Sequence, residues 1–220
     1  MEKKKIITLS KGLPVKKEYQ GKGYKSGIWK ESANELSIKF QGILGDDVAN
    51  HENHGGMERV VCYYPFEHYD FWEREFGQIL SQAAFGENIT GLNMQENEVC
   101  IGDIFEVGES VLQITQGRYP CGTINKRNEN SLLLKRIFET GYTGYFFRVL
   151  QEGKVTMDSK INLLTPHPKK VTVSSIHHLY FHNSSPSLEE IENVLEIEEL
   201  GQQWRSLLNT MRQKIQEGKN

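Results

Sequence analysis

Three short apolar segments separated by two glycine turns most constrain what this chain can fold into. The segments cover residues 99–101, 104–107 and 110–115, and the pairs Gly102-Asp103 and Gly108-Glu109 lie between them. Pairs of this kind form tight turns between neighbouring strands. The spacing therefore predicts a compact β-barrel or meander.

Further β-rich segments extend this pattern along the chain. Alternating or β-branched residues predict strands at residues 6–9, 28–30, 37–40, 59–64, 145–150 and 161–164. Residues 11–26 are rich in glycine, lysine and tyrosine, and we interpret them as a loop. Helices are predicted at residues 66–76, with Pro65 in the first turn, and at residues 131–139.

The pattern changes to a helical period after Pro166-His167-Pro168, which we interpret as a linker. Residues 174–182 form one predicted helix, and Ser187 with Glu190 fits a capping box that opens a second. The third helix has one apolar face, made by Leu200, Trp204, Leu207, Leu208 and Met211. We therefore divide the chain into a barrel at residues 1–165 and a three-helix extension at residues 171–220. So small an extension is marginal alone, and we expect it to dock on the barrel.

Composition and charge exclude several classes of protein. The 220 residues carry a formal net charge of −3, without the basic footprint of a nucleic-acid-binding protein. No apolar run reaches the roughly 18–20 residues that a membrane-spanning helix needs. The three cysteines are widely spaced and odd in number, and no secretory signal is recognisable. We therefore expect a cytoplasmic protein with reduced thiols, and neither a nucleic-acid nor a membrane partner.

One loop concentrates the residues that carry chemistry. It covers residues 116–122, directly after a predicted strand, and contains Arg118 and Cys121. A permanently charged guanidinium near a thiol favours the thiolate, the nucleophilic and metal-binding form of cysteine. Because more basic residues follow at Lys126 and Arg127, the loop suits an anionic ligand that carries a metal. The alternative is a buried cysteine packed at a strand end.

Two groups of histidines have ligand types that suit zinc. His51 and His54 precede Cys62, and His178 and His182 lie four residues apart on a predicted helix. A structural zinc site has four matched ligands, which neither group supplies. The alternatives are a polar loop with local hydrogen bonds and a pair of surface histidines.

The remaining candidates are two glycine loops and one arginine. Residues 55–56 and 85–88 form loops in which a ligand can approach the backbone closely, and tight turns are the alternative interpretation. Arg148 lies among aromatic residues in a β-rich segment, where a buried arginine requires an anion. That anion is either a ligand or a structural carboxylate, such as Glu87 or Asp103.

Taken in order, these motifs resemble the MOSC domain family, named after the C-terminal domain of molybdenum cofactor sulfurases. The motifs are His54-Gly55-Gly56, Glu67-His68-Tyr69-Asp70-Phe71-Trp72, Phe85-Gly86-Glu87-Asn88, Gly102-Asp103, Arg118-Tyr119-Pro120-Cys121 and Thr143-Gly144-Tyr145-Phe146-Phe147-Arg148-Val149. The resemblance points to the bacterial YiiM-like branch, which carries a C-terminal three-helix extension. It implies an α+β fold, with a distorted, mostly antiparallel β-barrel, peripheral helices and a small three-helix unit.

The resemblance also implies a molybdenum cofactor (molybdopterin with molybdenum) in a basic cleft. Cys121 matches the family cysteine and would ligate molybdenum or carry sulfur. Gly117 and Gly122 stand where the branch usually has proline and a bulkier residue, and such glycines loosen the turn. Pyridoxal phosphate occurs with some relatives but is not expected, because no lysine here has a Schiff-base context. The implied cofactor-binding positions are Gly55, Gly56, Arg59, Phe85, Gly86, Asn88, Arg118 and Arg148.

The activity implied by the resemblance is reduction of small N-hydroxylated bases, such as 6-hydroxylaminopurine, to amines. Glu87, His54 and Asp103 are candidate proton donors, and the sequence does not rank them. The chain has neither four thiolates for an iron–sulfur cluster nor a dinucleotide fingerprint, so we expect a separate flavin or iron–sulfur reductase. The acidic C-terminal extension is a candidate surface for that partner, and the alternative is that it only covers an apolar face of the barrel. The alternative function is a non-redox sulfur carrier or cofactor-binding module with a Cys121 persulfide, and the oligomeric state stays open.

Overall fold

The fold centres on one large curled sheet in the computed structural model, which describes residues 3–218. The strands are β1 (Lys5–Lys11), β2 (Val15–Tyr19), β3 (Lys22–Ser26), β4 (Glu31–Ser32), β5 (Glu35–Lys39), β6 (Gly42–Ile43), β7 (Val61–Pro65), β8 (Ile89–Leu92), β9 (Ile104–Val107), β10 (Ser110–Gly117), β11 (Tyr145–Gln151), β12 (Gly153–Thr156) and β13 (Ile161–Thr165). Eight of them form the sheet, in the order β13-β9-β10-β11-β7-β8-β1-β4. Its neighbouring strands are antiparallel except for β7 and β8, which are parallel. The sheet curls into a half-barrel, which confirms the expected α+β fold.

Two smaller sheets flank the large one. Strands β12, β5 and β6 form a three-stranded sheet, and β2 pairs with β3 as a separate hairpin. Strand β5 buries Leu36 and Ile38 completely while its other residues are more exposed, as expected for a half-buried strand. The hairpin residues, by contrast, are mostly exposed on both faces.

Seven α-helices lie around the sheets in the described part of the chain. They are α1 (His51–His54), α2 (Glu67–Phe76), α3 (Thr123–Asn128), α4 (Leu133–Thr140), α5 (Val173–Phe181), α6 (Leu188–Leu195) and α7 (Gln202–Gln216). The predicted capping box is confirmed, because Ser187 and Glu190 exchange hydrogen bonds at the start of α6. Within residues 3–218, no helix has the length and apolar character that crossing a membrane requires.

The main core joins the large sheet to the C-terminal helices. Ile114 of β10, Ile176 of α5 and Trp204 of α7 belong to one buried apolar cluster. The Trp204 indole N–H also donates a hydrogen bond to the Gly117 carbonyl at 2.6 Å. Helix α7 is therefore attached to the end of the strand that leads to Cys121. The division of the chain into residues 1–165 and 171–220 stays a prediction.

The structure corrects two predictions near the N-terminus. Residues 28–30 form no strand, because Ile28 alone is buried there and the segment pairs with no neighbour. Residues 11–26, interpreted as a loop, contain the hairpin β2–β3. A hairpin exposed on both faces has no alternation of apolar and polar residues, so the periodicity signal for strands is missing.

Three further predictions are corrected elsewhere. Residues 99–101 contribute only an isolated bridge between Cys100 and Thr172, because the chain turns immediately at Gly102. Pro65 is the last residue of β7, and Phe66 precedes the helix. Helix α3 begins at Thr123, two residues after Cys121, where no helix was predicted. Its six residues are too few for a clear helical period.

We predict that Trp204→Ala lowers the stability of the barrel as well as that of the extension. Loss of a fully buried tryptophan should reduce the free energy of unfolding by about 3–5 kcal/mol. Trp204→Phe keeps most of the packing and should lose about 1 kcal/mol, the contribution of one hydrogen bond. Urea denaturation followed by circular dichroism and tyrosine fluorescence measures both. An alanine variant whose barrel unfolds at an unchanged urea concentration would contradict the shared core.

Candidate functional site

A cleft of about 470 Å³ opens between the large sheet and the loops around it. Its lining residues lie within residues 25–30, 41–51, 54–62, 86–88 and 118–123, with Phe146 of β11 and Gln203 of α7. A second cleft of about 470 Å³ lies against α4 and α5; its lining includes His182 but no residue that the family resemblance implies. Eight of the eleven predicted site residues line the first cleft: His54, Gly55, Gly56, Arg59, Gly86, Asn88, Arg118 and Cys121.

Cys121 is a half-buried thiol that lies two residues before the start of α3. Burial raises the pKa of this thiol, but hydrogen bonds from His54 and from the hydroxyl and backbone N–H of Thr123 oppose it, as does the charge of Arg118. The opposing contributions are larger, and the pKa falls from 9.0 to about 6. The thiolate is therefore the main form at neutral pH.

Arg118 connects the two cysteines of the cleft. Its backbone N–H donates to the Gly144 carbonyl at 2.9 Å, and its Nη1 lies 3.9 Å from the Cys62 Sγ. Burial raises the pKa of the Cys62 thiol to about 11, although the charge of Arg118 acts in the opposite direction. Of these two thiols, only Cys121 is ionised at neutral pH.

The turn before Cys121 is held more firmly than its glycines suggest. Gly117 pairs with Tyr145 in the sheet, and its carbonyl accepts the indole hydrogen bond of Trp204. Gly122 is exposed, and a Cβ atom there would meet nothing within 4 Å. The loosening expected at Gly117 is therefore offset by contacts from outside the loop.

Glu87 and Phe85 lie beside the cleft and not in its lining. Glu87 is fully buried and accepts hydrogen bonds from the Tyr69 hydroxyl at 2.5 Å, the Thr90 hydroxyl at 2.9 Å and the Phe85 N–H at 3.1 Å. The Phe85 ring stacks on Tyr64, with 3.9 Å between ring centroids. Both residues hold the 85–88 loop in place, and neither lines the cleft.

The structure also places Arg148 and Asp103 outside the cleft lining. The Arg148 Nε donates to Gln113 Oε1 at 2.9 Å, across the pair that these residues form in the sheet. Among the described residues, Arg148 forms no ion pair with a carboxylate. Asp103 instead accepts hydrogen bonds from the backbone N–H groups of Cys100 and His167, at 2.8 and 2.7 Å. Both residues have structural partners in this arrangement.

Lys30 and Asp46 also line the cleft, although no sequence motif indicated them. Their side chains form a buried ion pair, with 6% and 10% of their surfaces exposed. Asp46 also accepts hydrogen bonds from the Gly12 N–H at 2.8 Å and from the Asn88 side chain at 3.0 Å. The two residues lie sixteen positions apart, and no local pattern indicates their pairing.

Arg59 and the glycine pair form one rim of the cleft. The Arg59 guanidinium donates to the Gly55 carbonyl at 2.5 Å, and burial lowers the pKa of Arg59 from its ordinary value. Gly56 has a φ of 109°, in a region that other residues avoid. The chain can therefore turn tightly here and leave backbone atoms open to a ligand.

Neither group of histidines forms a zinc site. Within residues 3–218, no three side chains of His, Cys, Asp or Glu are placed to hold a metal ion. His51 faces the Asp47 carboxylate at 3.3 Å, and a ring nitrogen of His182 lies 2.9 Å from the Phe138 carbonyl oxygen. His54 instead contacts the Cys121 thiol.

Comparison with known proteins agrees with this fold. The family model of the MOSC domain matches residues 50–162. The chain belongs to the MOSC domain family, and the YiiM-like branch fits it.

Three relatives show how far the similarity extends. The chain is 37% identical over 206 residues to the uncharacterized protein YflK of Bacillus subtilis (strain 168), covering 93% of each chain. It is similar to the crystal structure of YiiM from Geobacillus stearothermophilus, with a TM-score of 0.81 and 28% identity, over 95% of this chain and 99% of that one. It is also 36% identical over 161 residues to a protein of Gibberella moniliformis (strain M3125 / FGSC 7600) named Reductase, of which it covers only 28%.

We predict that iodoacetamide modifies Cys121 alone at pH 7. About nine tenths of this thiol is ionised at pH 7 if its pKa is about 6, whereas burial and Asp103 raise the pKa of Cys100 to about 11. The alkylation rate should be half-maximal near pH 6 and level above about pH 7. His54→Ala should move the midpoint to higher pH, since it removes a hydrogen bond that lowers the pKa. Peptide mass spectrometry identifies the modified cysteine, and equal modification of Cys62 would contradict the assignment.

Proposed function

We propose that this protein binds the molybdenum cofactor in the cleft and reduces N-hydroxylated bases, such as 6-hydroxylaminopurine, to amines. The observation that carries the proposal is the Cys121 thiolate, which lines the cleft with its pKa lowered to about 6. A thiolate is a soft ligand that suits a transition metal, and a nearby arginine suits an anionic cofactor.

The other residues of the cleft also fit such a cofactor. Arg59 and Arg118 supply cations for a phosphate group, and the backbone at Gly55 and Gly56 allows close approach. A volume of about 470 Å³ lies within the usual range for small-molecule sites. Because the described residues supply no cluster of three metal ligands, the remaining ligands of a metal at Cys121 would come with the cofactor.

His54 is the proton donor that this arrangement favours. When bound, the cofactor supplies the two-electron reduction of the N–OH bond. His54 lines the cleft and hydrogen-bonds the Cys121 thiol, so its ring can hold a proton close to the reacting group. Glu87 is buried with both oxygens hydrogen-bonded, and Asp103 lies away from the lining. The relative of Gibberella moniliformis named Reductase supports a redox reaction without indicating its substrate.

The same thiolate favours a second function, in which Cys121 carries sulfur as a persulfide without a redox step. A half-buried thiolate can attack the outer sulfur of a donor persulfide, which breaks the donor's S–S bond and releases the donor as a thiolate. The composition of the protein, purified from a host that makes the cofactor, separates the two functions. Stoichiometric molybdenum with pterin supports the reductase, and labile sulfur on Cys121 without molybdenum supports the carrier.

We expect Cys121→Ser to keep the fold and to lose molybdenum and turnover. The substitution changes one atom of a half-buried side chain, so the melting temperature should shift by at most about 3 °C. Metal analysis by mass spectrometry and reduction of 6-hydroxylaminopurine measure the loss. Cys100→Ser is the matched control, because Cys100 lies outside the cleft lining and should keep both properties. Full activity of the Cys121 variant would refute the assigned role.

Replacing Arg118 and replacing Arg148 should have different effects on cofactor retention. Arg118→Ala should weaken cofactor retention roughly ten- to a hundredfold, since a charge-assisted contact contributes about 1.5–3 kcal/mol. Arg148→Ala should leave retention unchanged and reduce stability by about 1 kcal/mol, because it loses the hydrogen bond to Gln113. Molybdenum occupancy after dialysis, with urea denaturation of the same samples, measures both effects. The reverse pattern would place the cofactor phosphate at Arg148.

A further inference from the structure

A lysine-rich hairpin stands at one edge of the cleft. Residues 11–30 contain six lysines and one glutamate, although the whole chain carries a net charge of −3. Strands β2 and β3 form the hairpin, and residues 25–28 at its end belong to the cleft lining. The exposed hairpin lysines and two neighbouring residues of α3 are here called the basic mouth surface: Lys16, Lys17, Lys22, Lys25, Lys126 and Arg127.

Within residues 3–218, the cations of the basic mouth surface have no carboxylate partner. In the described part of the chain, none of the six forms an ion pair within 4.0 Å. Lys17 and Arg127 lie 4.6 and 4.1 Å from the centre of the Trp29 ring, and Lys126 lies 5.0 Å from that of Tyr24. Contacts with aromatic rings hold these cations in place without neutralising their charge.

The hairpin also carries an internal repulsion. Lys16 lies directly opposite Lys25 in the register of β2 and β3. Like charges at such positions destabilise a hairpin, because the side chains leave the same face close together. Lys25 also lines the cleft, so this repulsion lies at its edge. An anionic partner bound there would relieve it.

We propose that the basic mouth surface docks an acidic electron-carrier protein of the flavodoxin type. The inference rests on the proposed function, because a redox reaction in the cleft needs a carrier at its mouth. The six cations extend over both strands and onto α3, and a five-residue strand spans about 16 Å. That area exceeds a phosphate group and suits a protein surface. Unpaired charges of one sign accelerate the association of an oppositely charged protein.

The acidic C-terminal extension is the alternative docking surface. It would bind a basic carrier and not an acidic one. Several of its glutamates already have partners in the fold. Glu190 caps α6, Glu196 pairs with Lys169 at 2.6 Å, and Glu199 lies 3.4 Å from His167. The charge of the carrier that binds therefore distinguishes the two surfaces.

The electron balance sets the number of docking events. Each turnover breaks the N–O bond of R–NHOH and forms the amine and water, with two electrons and two protons consumed. A flavodoxin hydroquinone gives one electron and becomes the semiquinone. Two reduced carriers must therefore dock in succession, and the protons come from solvent by way of His54, the proposed donor in the cleft.

The first experiment measures docking without turnover. Oxidised flavodoxin is titrated with the full chain at about 20 mM salt, and flavin fluorescence anisotropy gives the Kd. Lys16→Gln combined with Lys22→Gln should raise the Kd about tenfold, and the difference should disappear at about 0.5 M salt, which screens exposed charges. The matched control, Lys160→Gln with Lys214→Gln, removes two exposed lysines outside the cleft lining and should bind like the wild type. No weakening in the hairpin variant, or equal weakening in the control, overturns the proposal.

The second experiment separates the failure of docking from the failure of the proposed function. Dithionite supplies electrons without a carrier, so the hairpin variant should reduce 6-hydroxylaminopurine with dithionite at the wild-type rate. Its flavodoxin-driven rate should fall about tenfold at low carrier concentration. If the molybdenum-loaded wild-type protein is inactive with dithionite, the proposed function is wrong. The Kd values of the flavodoxin titration still test docking in that case. If single-stranded DNA binds more tightly than flavodoxin and through the same lysines, the proposal of a protein partner is wrong.

Discussion

The architecture of the cleft depends on the buried amide of Asn88, which joins three of its walls. Its Oδ1 accepts from the Cys62 N–H at 3.0 Å, and its Nδ2 donates to the Ser10 carbonyl at 3.2 Å and to Asp46 at 3.0 Å. Its backbone pairs with the same two neighbours, Cys62 and Ser10, at 2.8 Å each. Replacing this amide would leave several buried groups without partners, which is costly where water cannot replace them. The distance between β7 and β1, and the position of Asp46, follow from these bonds.

The same strands place the cation that acts on the thiols. Cys62 lies in β7 opposite Phe146 of β11, and Arg118 reaches its sulfur from the end of β10. The sheet thus positions the guanidinium, while the turn into α3 positions Cys121 and gives it the Thr123 N–H. Burial acts alike on both thiols and raises the pKa of each, so the local donors decide which one ionises. Rigid strands and one short loop are enough to make two neighbouring cysteines chemically different.

The sequence predicted elements with strong periodicity better than it predicted the direction of side chains. The three C-terminal helices were recognisable from their apolar face and from the capping box at Ser187. The 85–88 motif was also recognised, but alternate residues of that loop point in different directions. Asn88 lines the cleft whereas Glu87 is buried among Tyr69 and Thr90. Lys30 and Asp46 were missed because tertiary packing alone brings them together.

The cations around the cleft are either buried or exposed, and salt affects the two kinds differently. Arg118 and the ion-paired Lys30 lie inside, where their charges act over short distances and are little screened by salt. The four hairpin lysines of the basic mouth surface lie in solvent, where salt screens them and where they act on the approach of a partner. Under the proposed function, cofactor retention and carrier docking should therefore respond differently to ionic strength. Salt near 0.5 M would abolish the contribution of the hairpin and leave the ionisation of Cys121 nearly unchanged, because hydrogen bonds from His54 and Thr123 maintain it.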